Sequence, residues 1–364
     1  MVVRRRVRKS LAMAVTGGVL AAVVSAVSSG SASATGSEEN DHSTSGLPRD
    51  AIEHVLVVDL ENENFADTFG SGSPATYLNQ ELVPQGQLLT NYYATGHAST
   101  DNYIAQVSGQ APNKVSGSDC IVDTTTLVGR FSDVTPGTPD PDQATYPGQV
   151  DGEGCVYPGP NATSAGVQTI ADQLDAQQRR GRPQQPTWRA YAEDMGNDAG
   201  RDGGDPDPLG GTDCAHPPLD GADLTNKATA TDQYADRHVP FVFFHSIIDN
   251  TVRCDTHVVP LGTVKIGAGG QRDTFAGHLA LDLAHERTTP TFGFITPNLC
   301  NDGHDQTCTG TNTEGGHAGG LVAVARLCCH PHCLRGTGSH PTRPVPWRWS
   351  HRRRSAQPQL HQGR

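Results

Sequence analysis

Four groups of polar side chains each follow an apolar segment of this chain, and together they contain carboxylates, amides, imidazoles and hydroxyls. The groups are Glu61 with Asn62, residues 97–102 with His97, Ser99, Thr100 and Asn102, His245 with Asp249, and residues 302–305 with Asp302 and His304. Such a set suits a divalent metal ion beside an activated serine or threonine. A metal ion lowers the pKa of the hydroxyl and neutralises charge on a phosphoryl group. A helix N-terminus behind the hydroxyl would help to hold the anion.

The polar groups must be positioned by the elements that precede them. Apolar runs over 52–62, 86–96, 187–195, 239–247 and 289–298 predict β-strands. Helical spacing predicts helices over 100–112, 166–177 and 271–285. Strands that alternate with helices are typical of an α/β fold with a largely parallel sheet. The carboxyl ends of parallel strands meet at one edge, so we expect the polar groups to surround one cleft there.

Each polar group also has a purely structural explanation. Glu61 and Asn62 can end a strand, Ser99 and Thr100 can cap a helix, and residues 302–305 can form a plain turn. His245 can be a hydrogen-bonded core histidine, and His317 can be part of a glycine-rich loop. Their expected convergence on one sheet edge is the reason to favour a functional site.

Length and charge limit the function classes. The 364 residues suffice for one large α/β domain or two smaller ones, and no repeat or linker divides the body. We therefore expect one domain over 51–325. The net charge of −12 argues against a nucleic-acid-binding protein.

The first 34 residues have the pattern of a secretory signal peptide. A basic start precedes an apolar stretch and a small-residue cleavage site after Ala34. A membrane anchor is the alternative, but the apolar stretch is short and interrupted by glycine. We expect an exported protein without stable membrane insertion, and a flexible lead-in over 35–50.

Export permits disulfides, and the nine cysteines divide into six in the body and three near the end. Six can pair completely, whereas nine cannot. Proximity in sequence favours Cys120–Cys155, Cys214–Cys254 and Cys300–Cys308, although six cysteines allow fifteen connectivities. We expect the first pair to tie down a long insertion over 113–165.

Several ordered motifs resemble the bacterial phosphoesterase family, which contains secreted acid phosphatases and phospholipase C enzymes of the alkaline-phosphatase-like superfamily. They are HVLVVDLENENFADTFG, NYYATGHASTDNYIAQVSGQAPN, FVFFHSIIDN, TPTFGFITPNLCNDGHD and EGGHAGG. The resemblance covers residues 52–324 and implies a mixed α/β fold, with a mostly parallel sheet flanked by helices, that hydrolyses phosphate esters.

The resemblance also implies roles for individual residues. Glu61 and Asn62 would bind a divalent metal ion of unknown identity or phosphate, and Ser99 would be the nucleophile, with Thr100 as the fallback. Asn102 would contact the phosphoryl oxygen, and nearby histidines such as His97 would stabilise the transferring group. Asp302 and His304 match the family's Asp-Gly-His-Asp motif and are assigned to the site.

The last part of the chain departs from this family. After His317, members continue with a helix and a strand that ends in acidic metal ligands, but the last acidic residue here is Glu314. From residue 326 the chain is rich in Arg, His, Pro, Cys and Trp, and we expect an aberrant tail over 326–364. A deletion or frameshift would explain it. A zinc site at Cys328, Cys329, His330, His332 and Cys333, or a basic binding patch, is the alternative.

The prediction is thus a secreted, metal-assisted hydrolase of small phosphate esters that acts through a phosphoserine. The loss of the acidic motif puts the activity of this form in question. Within the family, a phospholipase C-type phosphodiesterase remains the alternative, and the acidic, glycine-rich insertions favour a small soluble ester. A non-catalytic secreted remnant or ligand-binding protein is the alternative of another class.

Overall fold

The structure is a computed structural model. It describes residues 52–136, 148–160, 166–178, 187–265 and 274–305. The expected signal peptide over 1–34, the lead-in over 35–50 and the tail over 326–364 lie outside these ranges. Those boundaries therefore stay predictions.

Short strands and helices alternate along the described chain. The strands are β1 (Val55–Val58), β2 (Ile121–Asp123), β3 (Val128–Arg130), β4 (Thr135–Pro136), β5 (Gly152–Glu153), β6 (Trp188–Ala192), β7 (Asp205–Pro206), β8 (Thr212–Asp213), β9 (Ala222–Asp223), β10 (Val258–Pro260), β11 (Thr263–Lys265), β12 (Thr274–Ala276) and β13 (Phe292–Thr296). The α-helices are α1 (Phe65–Phe69), α2 (Ser99–Ser108), α3 (Ile170–Gln178), α4 (Ala199–Asp202), α5 (His245–Ile248), α6 (Thr251–His257) and α7 (His278–Leu283). A π-helical turn covers Leu78–Leu82, and 3-10 turns cover Val83–Gln85, Ser116–Ser118, Asp236–His238 and Pro240–Phe243.

A four-stranded parallel sheet in the order β1-β13-β6-β10 forms the centre of the fold. Val55 pairs with Phe292, and Phe292 pairs with Trp188. The two middle strands are buried along most of their length, as apolar strands of a sheet covered on both faces must be. The expected mixed α/β fold with a parallel sheet is therefore confirmed. The remaining described sheets are small and antiparallel.

Helix α2 shows why this sequence folds as it does near the sheet edge. Tyr103, Ile104 and Val107 lie on one face at helical spacing and are buried in the main core. The helix ends at Gly109, whose φ of 72° suits glycine at that position. Among the described helices, none combines the length and apolar character needed to cross a bilayer.

Two predicted strands are wrong. Residues 86–96 form no strand, and the apolar run at 239–247 forms a 3-10 turn followed by α5. Pro240 begins the 3-10 turn, and Phe241, Val242 and Phe243 are all buried, so their apolar pattern reflects burial on every side. The predicted helix over 271–285 is shorter, since α7 follows strand β12. Strand β10 was not predicted.

Two of the expected disulfides are present. Cys120 is bonded to Cys155 and Cys214 to Cys254. The first closes the insertion that follows α2, as predicted. Cys308 of the third expected pair lies outside the described residues.

A buried arginine organises the long segment between β6 and α5. Nη1 of Arg201 donates to Asp202 Oδ1 at 2.6 Å and to Asp232 Oδ1 at 3.0 Å. Nη2 donates to three backbone carbonyls, those of Thr225, Lys227 and Tyr234. Both carboxylate side chains are fully buried, so the guanidinium is the positive charge that offsets them.

Replacing Arg201 by alanine is expected to lower the free energy of unfolding by about 3–5 kcal/mol, because the buried side chains of Asp202 and Asp232 lose the hydrogen bonds of the guanidinium. Arg130→Ala is the control, since Arg130 pairs with Asp220 at 3.4 Å on the surface and should cost less than about 1 kcal/mol. Urea unfolding followed by circular dichroism measures both. Equal losses in the two variants would contradict the role given to Arg201.

The same cluster predicts a pH dependence of stability. Burial, followed by the charge of Asp232, raises the pKa of Asp202 from 3.8 to about 8. The folded state therefore binds this proton more tightly than the unfolded chain. The free energy of unfolding should fall as pH rises between these two values. Asp202→Asn should make the free energy of unfolding less dependent on pH, as measured by urea unfolding at a series of pH values. The same pH dependence in both proteins would contradict this prediction.

Candidate functional site

Polar loops from β1 and β13 meet at the carboxyl edge of the sheet. Glu61 follows β1 and Asp302 follows β13, and the backbone N–H of Glu61 donates to the carbonyl of Asp302 at 3.0 Å. The neighbouring pairing of the two strands forces this meeting. Two carboxylates from distant parts of the sequence are thereby brought together, as the sequence predicted for parallel strands.

A buried histidine lies between the two carboxylates. His238 Nε2 contacts Oε1 of Glu61, and His238 Nδ1 lies 3.2 Å from Oδ2 of Asp302. The ring is 1% exposed and stacks on Tyr103, with centroids 5.0 Å apart and planes 9° apart. Thr296 at the end of β13 donates to the carbonyl of His238 at 2.9 Å. The histidine is therefore fixed to the sheet itself.

The charges of this group depend on one another. Burial lowers the pKa of His238, but the adjacent Glu61 carboxylate outweighs it and the pKa rises to about 9. Burial raises the pKa of Glu61, but the charge of the adjacent His238 brings it down to about 2. Burial raises the pKa of Asp302.

The donor atoms of the three residues fit a divalent cation. Both ring nitrogens of His238 and Oδ2 of Asp302 are buried and lack a hydrogen-bond partner of acceptable geometry, despite their short separations. One ligand atom from each of Glu61, His238 and Asp302 lies within 4.8 Å of the others. Two carboxylates and an imidazole are ligands that zinc and similar metals accept.

Ser99 brings a hydroxyl to the same carboxylate. It is the first residue of α2, and its Oγ donates to Glu61 Oε2 at 3.0 Å and Oε1 at 3.2 Å. Thr100 points elsewhere: it is fully buried, does not line the site cavity, and its N–H donates to Asp119 at 2.9 Å. Of the two predicted nucleophiles, only Ser99 lies beside Glu61.

Asn102 holds the loop that precedes α2. Its Oδ1 accepts from the N–H groups of Thr95 and Gly96, and its Nδ2 donates to the carbonyls of Gly96 and Ala98. The amide is thus engaged with the backbone, although it also lines the cavity. Its position supports the shape of the loop that carries the neighbouring His97.

A cavity of about 790 Å³ opens beside Glu61 and Ser99. Asn62, His97 and His304 line it together with these residues, and His304 Nδ1 lies 3.0 Å from Asp305 Oδ1. The predicted site residues that line the cavity are Glu61, Asn62, His97, Ser99, Asn102, Asp302 and His304. Tyr92 and Tyr93 also line it and are 74% and 79% exposed.

The structure does not bring the predicted His245 and Asp249 to this cavity. His245 begins α5 and contacts Asp249 at 2.8 Å and Asp133 at 2.9 Å, away from the lining residues. The position expected for His245 is taken by His238, seven residues earlier in the chain. His317 lies outside the described residues, as does the region of the expected frameshift.

The sequence did not single out Glu193, which supports the loop that carries Asp302. Glu193 follows β6, accepts from the backbone N–H of Asn298 at 3.0 Å and from Nδ2 of Asn301 at 2.9 Å. Burial raises its pKa to about 7. These bonds hold the loop that carries Asp302. An acidic pair near the end of the strand predicted over 187–195, Glu193 with Asp194, was the available signal.

Comparison with known proteins gives a consistent result. The chain is similar to fungal acid phosphatases. It is 25% identical over 259 residues to an acid phosphatase of Aspergillus fumigatus, covering 71% of this chain and 38% of that protein. It is 26% identical over 261 residues to a phosphate-repressible acid phosphatase of Penicillium chrysogenum and 23% identical over 257 residues to a probable acid phosphatase of Kluyveromyces lactis, covering 71% of this chain and 41% and 40% of those proteins.

The matched proteins are much longer than this chain, which spans about two fifths of the length of each. No protein-family model matches the chain. No solved structure matches it either. The resemblance to phosphatases that the motifs predicted is thus confirmed at the level of these fungal relatives.

The turn that carries Asp302 predicts a sensitive glycine. Gly303 has a φ of 100°, and a Cβ there would lie 2.8 Å from the carbonyl oxygen of Glu61. Gly303→Ala should therefore lower the free energy of unfolding by about 1–3 kcal/mol. Gly72→Ala is the control, because nothing lies within 4 Å of a Cβ at that position. Chemical unfolding of both variants checks this, and equal stability would count against it.

Proposed function

We propose that this chain is a hydrolase of phosphoric ester bonds of the acid phosphatase type. The observation that carries the proposal is the hydrogen bond from Ser99 to Glu61, next to His238 and Asp302 and open to a cavity. A hydroxyl beside a carboxylate that can share a metal ion is the arrangement that phosphoryl transfer to serine requires. The similarity to proteins named acid phosphatase supports the same reaction.

Glu61, His238 and Asp302 would hold the metal ion, and Asn62 offers a further oxygen ligand at the cavity wall. When bound, the cation supplies positive charge for the phosphoryl oxygens and lowers the pKa of the serine hydroxyl. The chain already brings one ligand atom of each of Glu61, His238 and Asp302 within 4.8 Å of the others. Glu193 acts as a positioning residue because it fixes the loop that carries Asp302.

Ser99 Oγ attacks phosphorus while the bond from phosphorus to the ester oxygen breaks. The serine proton passes to Glu61, which already accepts the hydrogen bond from Ser99 Oγ. Charge on the phosphoryl oxygens develops at the positive end of α2, since Ser99 is its first residue. Water then attacks phosphorus and gives one proton to His304, while the bond from phosphorus to Ser99 Oγ breaks. Phosphate is released, and the proton on Glu61 returns to Ser99.

The leaving alcohol needs a proton, and two histidines line the cavity. His97 is exposed, and His304 lies 3.0 Å from Asp305 through Nδ1. His238 is unsuited to this task, because it is buried between Glu61 and Asp302. We assign the donation to His304, whose loop is bonded to the metal-binding carboxylate through its own N–H.

The finer assignments belong to the same proposal. We propose a single domain over 51–325 of the alkaline-phosphatase-like superfamily, supported by the parallel sheet and the polar groups at its carboxyl edge. We also propose that the chain is secreted after removal of residues 1–34, because two disulfides persist best in an oxidising compartment.

Ser99→Ala is expected to lower the turnover of p-nitrophenyl phosphate by at least about 1,000-fold, because the nucleophile is lost. Ser118→Ala is the matched control, since Ser118 lies on the surface and bonds only to backbone carbonyls. Removing divalent metal with a chelator should also abolish turnover, and adding it back should restore it. The release of p-nitrophenolate measures each rate.

Turnover that survives in Ser99→Ala would reject the assigned nucleophile. A full chain that hydrolyses no phosphate ester with any divalent metal would reject the hydrolase and favour a ligand-binding protein. Parallel assays with a phosphate diester separate the two enzymatic readings, because a phospholipase C-type enzyme cleaves the diester and a phosphatase the monoester.

A further inference from the structure

A second group of metal-binding side chains lies at the opposite edge of the sheet. Asp207 follows β7, Asp213 ends β8 and His278 begins α7. Strand β8 runs beside β10, since the N–H of Cys214 donates to the carbonyl of Val258. β10 is the edge strand furthest from β1. None of the three residues lines the cavity beside Ser99.

The three side chains converge on one point. Asp207 Oδ2 lies 2.7 Å from His278 Nε2, and one ligand atom of each residue lies within 4.8 Å of the others. Asp207 Oδ1 accepts from the backbone N–H of Leu209 at 2.6 Å, which fixes the carboxylate in the hairpin turn. His278 is held by its place at the start of α7. The arrangement is thus built from three separate elements.

One ligand atom has no partner. Asp213 is 9% exposed, and its Oδ1 is buried without a hydrogen bond. A buried carboxylate oxygen that accepts no hydrogen bond is costly unless a cation binds it. The carboxylate of Asp207 lies close by, and so does Asp255, whose charge also acts on Asp213. Negative charge is therefore concentrated around Asp213, where the guanidinium of Arg189 acts as a positive charge and the imidazole of His278 offers a nitrogen ligand.

The backbone next to this cluster is covalently fixed. Asp213 precedes Cys214 and Asp255 follows Cys254, and these two cysteines form a disulfide. The disulfide therefore limits the distance between Asp213 and Asp255. A site with such fixed ligands loses little conformational entropy when an ion binds.

We propose that Asp207, Asp213 and His278 form a second divalent cation site, of a kind that takes zinc, which joins the β7–β8 hairpin to α7. Two carboxylates and one imidazole suit zinc or a similar first-row metal. Calcium prefers six to eight oxygen ligands, and this group offers a nitrogen. Water would complete the coordination. The role is structural, since no residue of the group approaches the cavity beside Ser99.

The experiment uses the full chain, freed of metal by a chelator, with zinc chloride as the probe in titration calorimetry. Asp213→Asn and His278→Gln should each bind one zinc ion per chain fewer than the unsubstituted protein, or bind it about 100-fold more weakly. Asp302→Asn should keep this second site and lose the one beside Ser99. Asp220→Asn is the control, because Asp220 is an exposed carboxylate.

Zinc should also raise the melting temperature of the unsubstituted protein more than that of Asp213→Asn. Unchanged zinc stoichiometry and affinity in both Asp213→Asn and His278→Gln would overturn the proposal. A proton shared between the carboxylates of Asp207 and Asp213 would then explain why they lie so close together. Calcium binding that is lost in Asp213→Asn but kept in His278→Gln would overturn the imidazole ligand. If Asp213→Asn fails to fold, the partly exposed His278→Gln decides.

Discussion

The contact of His238 with Glu61 and Asp302 is the interaction on which the described site depends. Two carboxylates held together at the edge of a buried sheet repel each other unless positive charge lies between them. When no metal ion is bound, the protonated ring of His238 supplies that charge. Tyr103 and Thr296 keep its ring and backbone in place. The hydrogen bond from Ser99 then has a fixed acceptor. Without the histidine, repulsion between the two carboxylates would favour separation of the loops after β1 and β13.

The sequence predicted the parts of the fold that local patterns control. β1, β6, β13 and α2 follow from short apolar runs or helical spacing, and Glu61, Ser99 and Asp302 follow from the ends of these elements. The role of His238 was not predicted, because this residue ends a long segment without periodicity. Contacts with the distant Arg201 hold that segment in place. The run Pro240–Phe243 is apolar because it is buried on all sides. Its sequence pattern therefore does not reveal that its backbone forms a 3-10 turn. Because this run was predicted to be a strand, His245 near its end was assigned to the site in place of His238.

The Cys120–Cys155 and Cys214–Cys254 disulfides each stand next to an acidic residue that lines the cavity or belongs to the second cluster. Cys120 follows Asp119, which accepts from the N–H of Thr100 at the start of α2. Cys214 follows Asp213 of the second cluster. The backbone at Asp119 and at both cysteines has positive φ, at 54°, 58° and 50°. A positive φ is unfavourable for these residues. The covalent link of each disulfide holds the backbone in this conformation more firmly than hydrogen bonds alone would.

The pairing of β1 with β13 has a consequence for the order in which the chain can fold. Val55 pairs with Phe292, so the first described strand finds its partner in the main sheet only when nearly all of the described chain is present. Contacts this distant in sequence form slowly. Until then the apolar stretch Val55–Val58 has an open edge that can pair with another molecule. Glu61 and Asp302 therefore meet late, and the cavity is among the last parts of the protein to assemble.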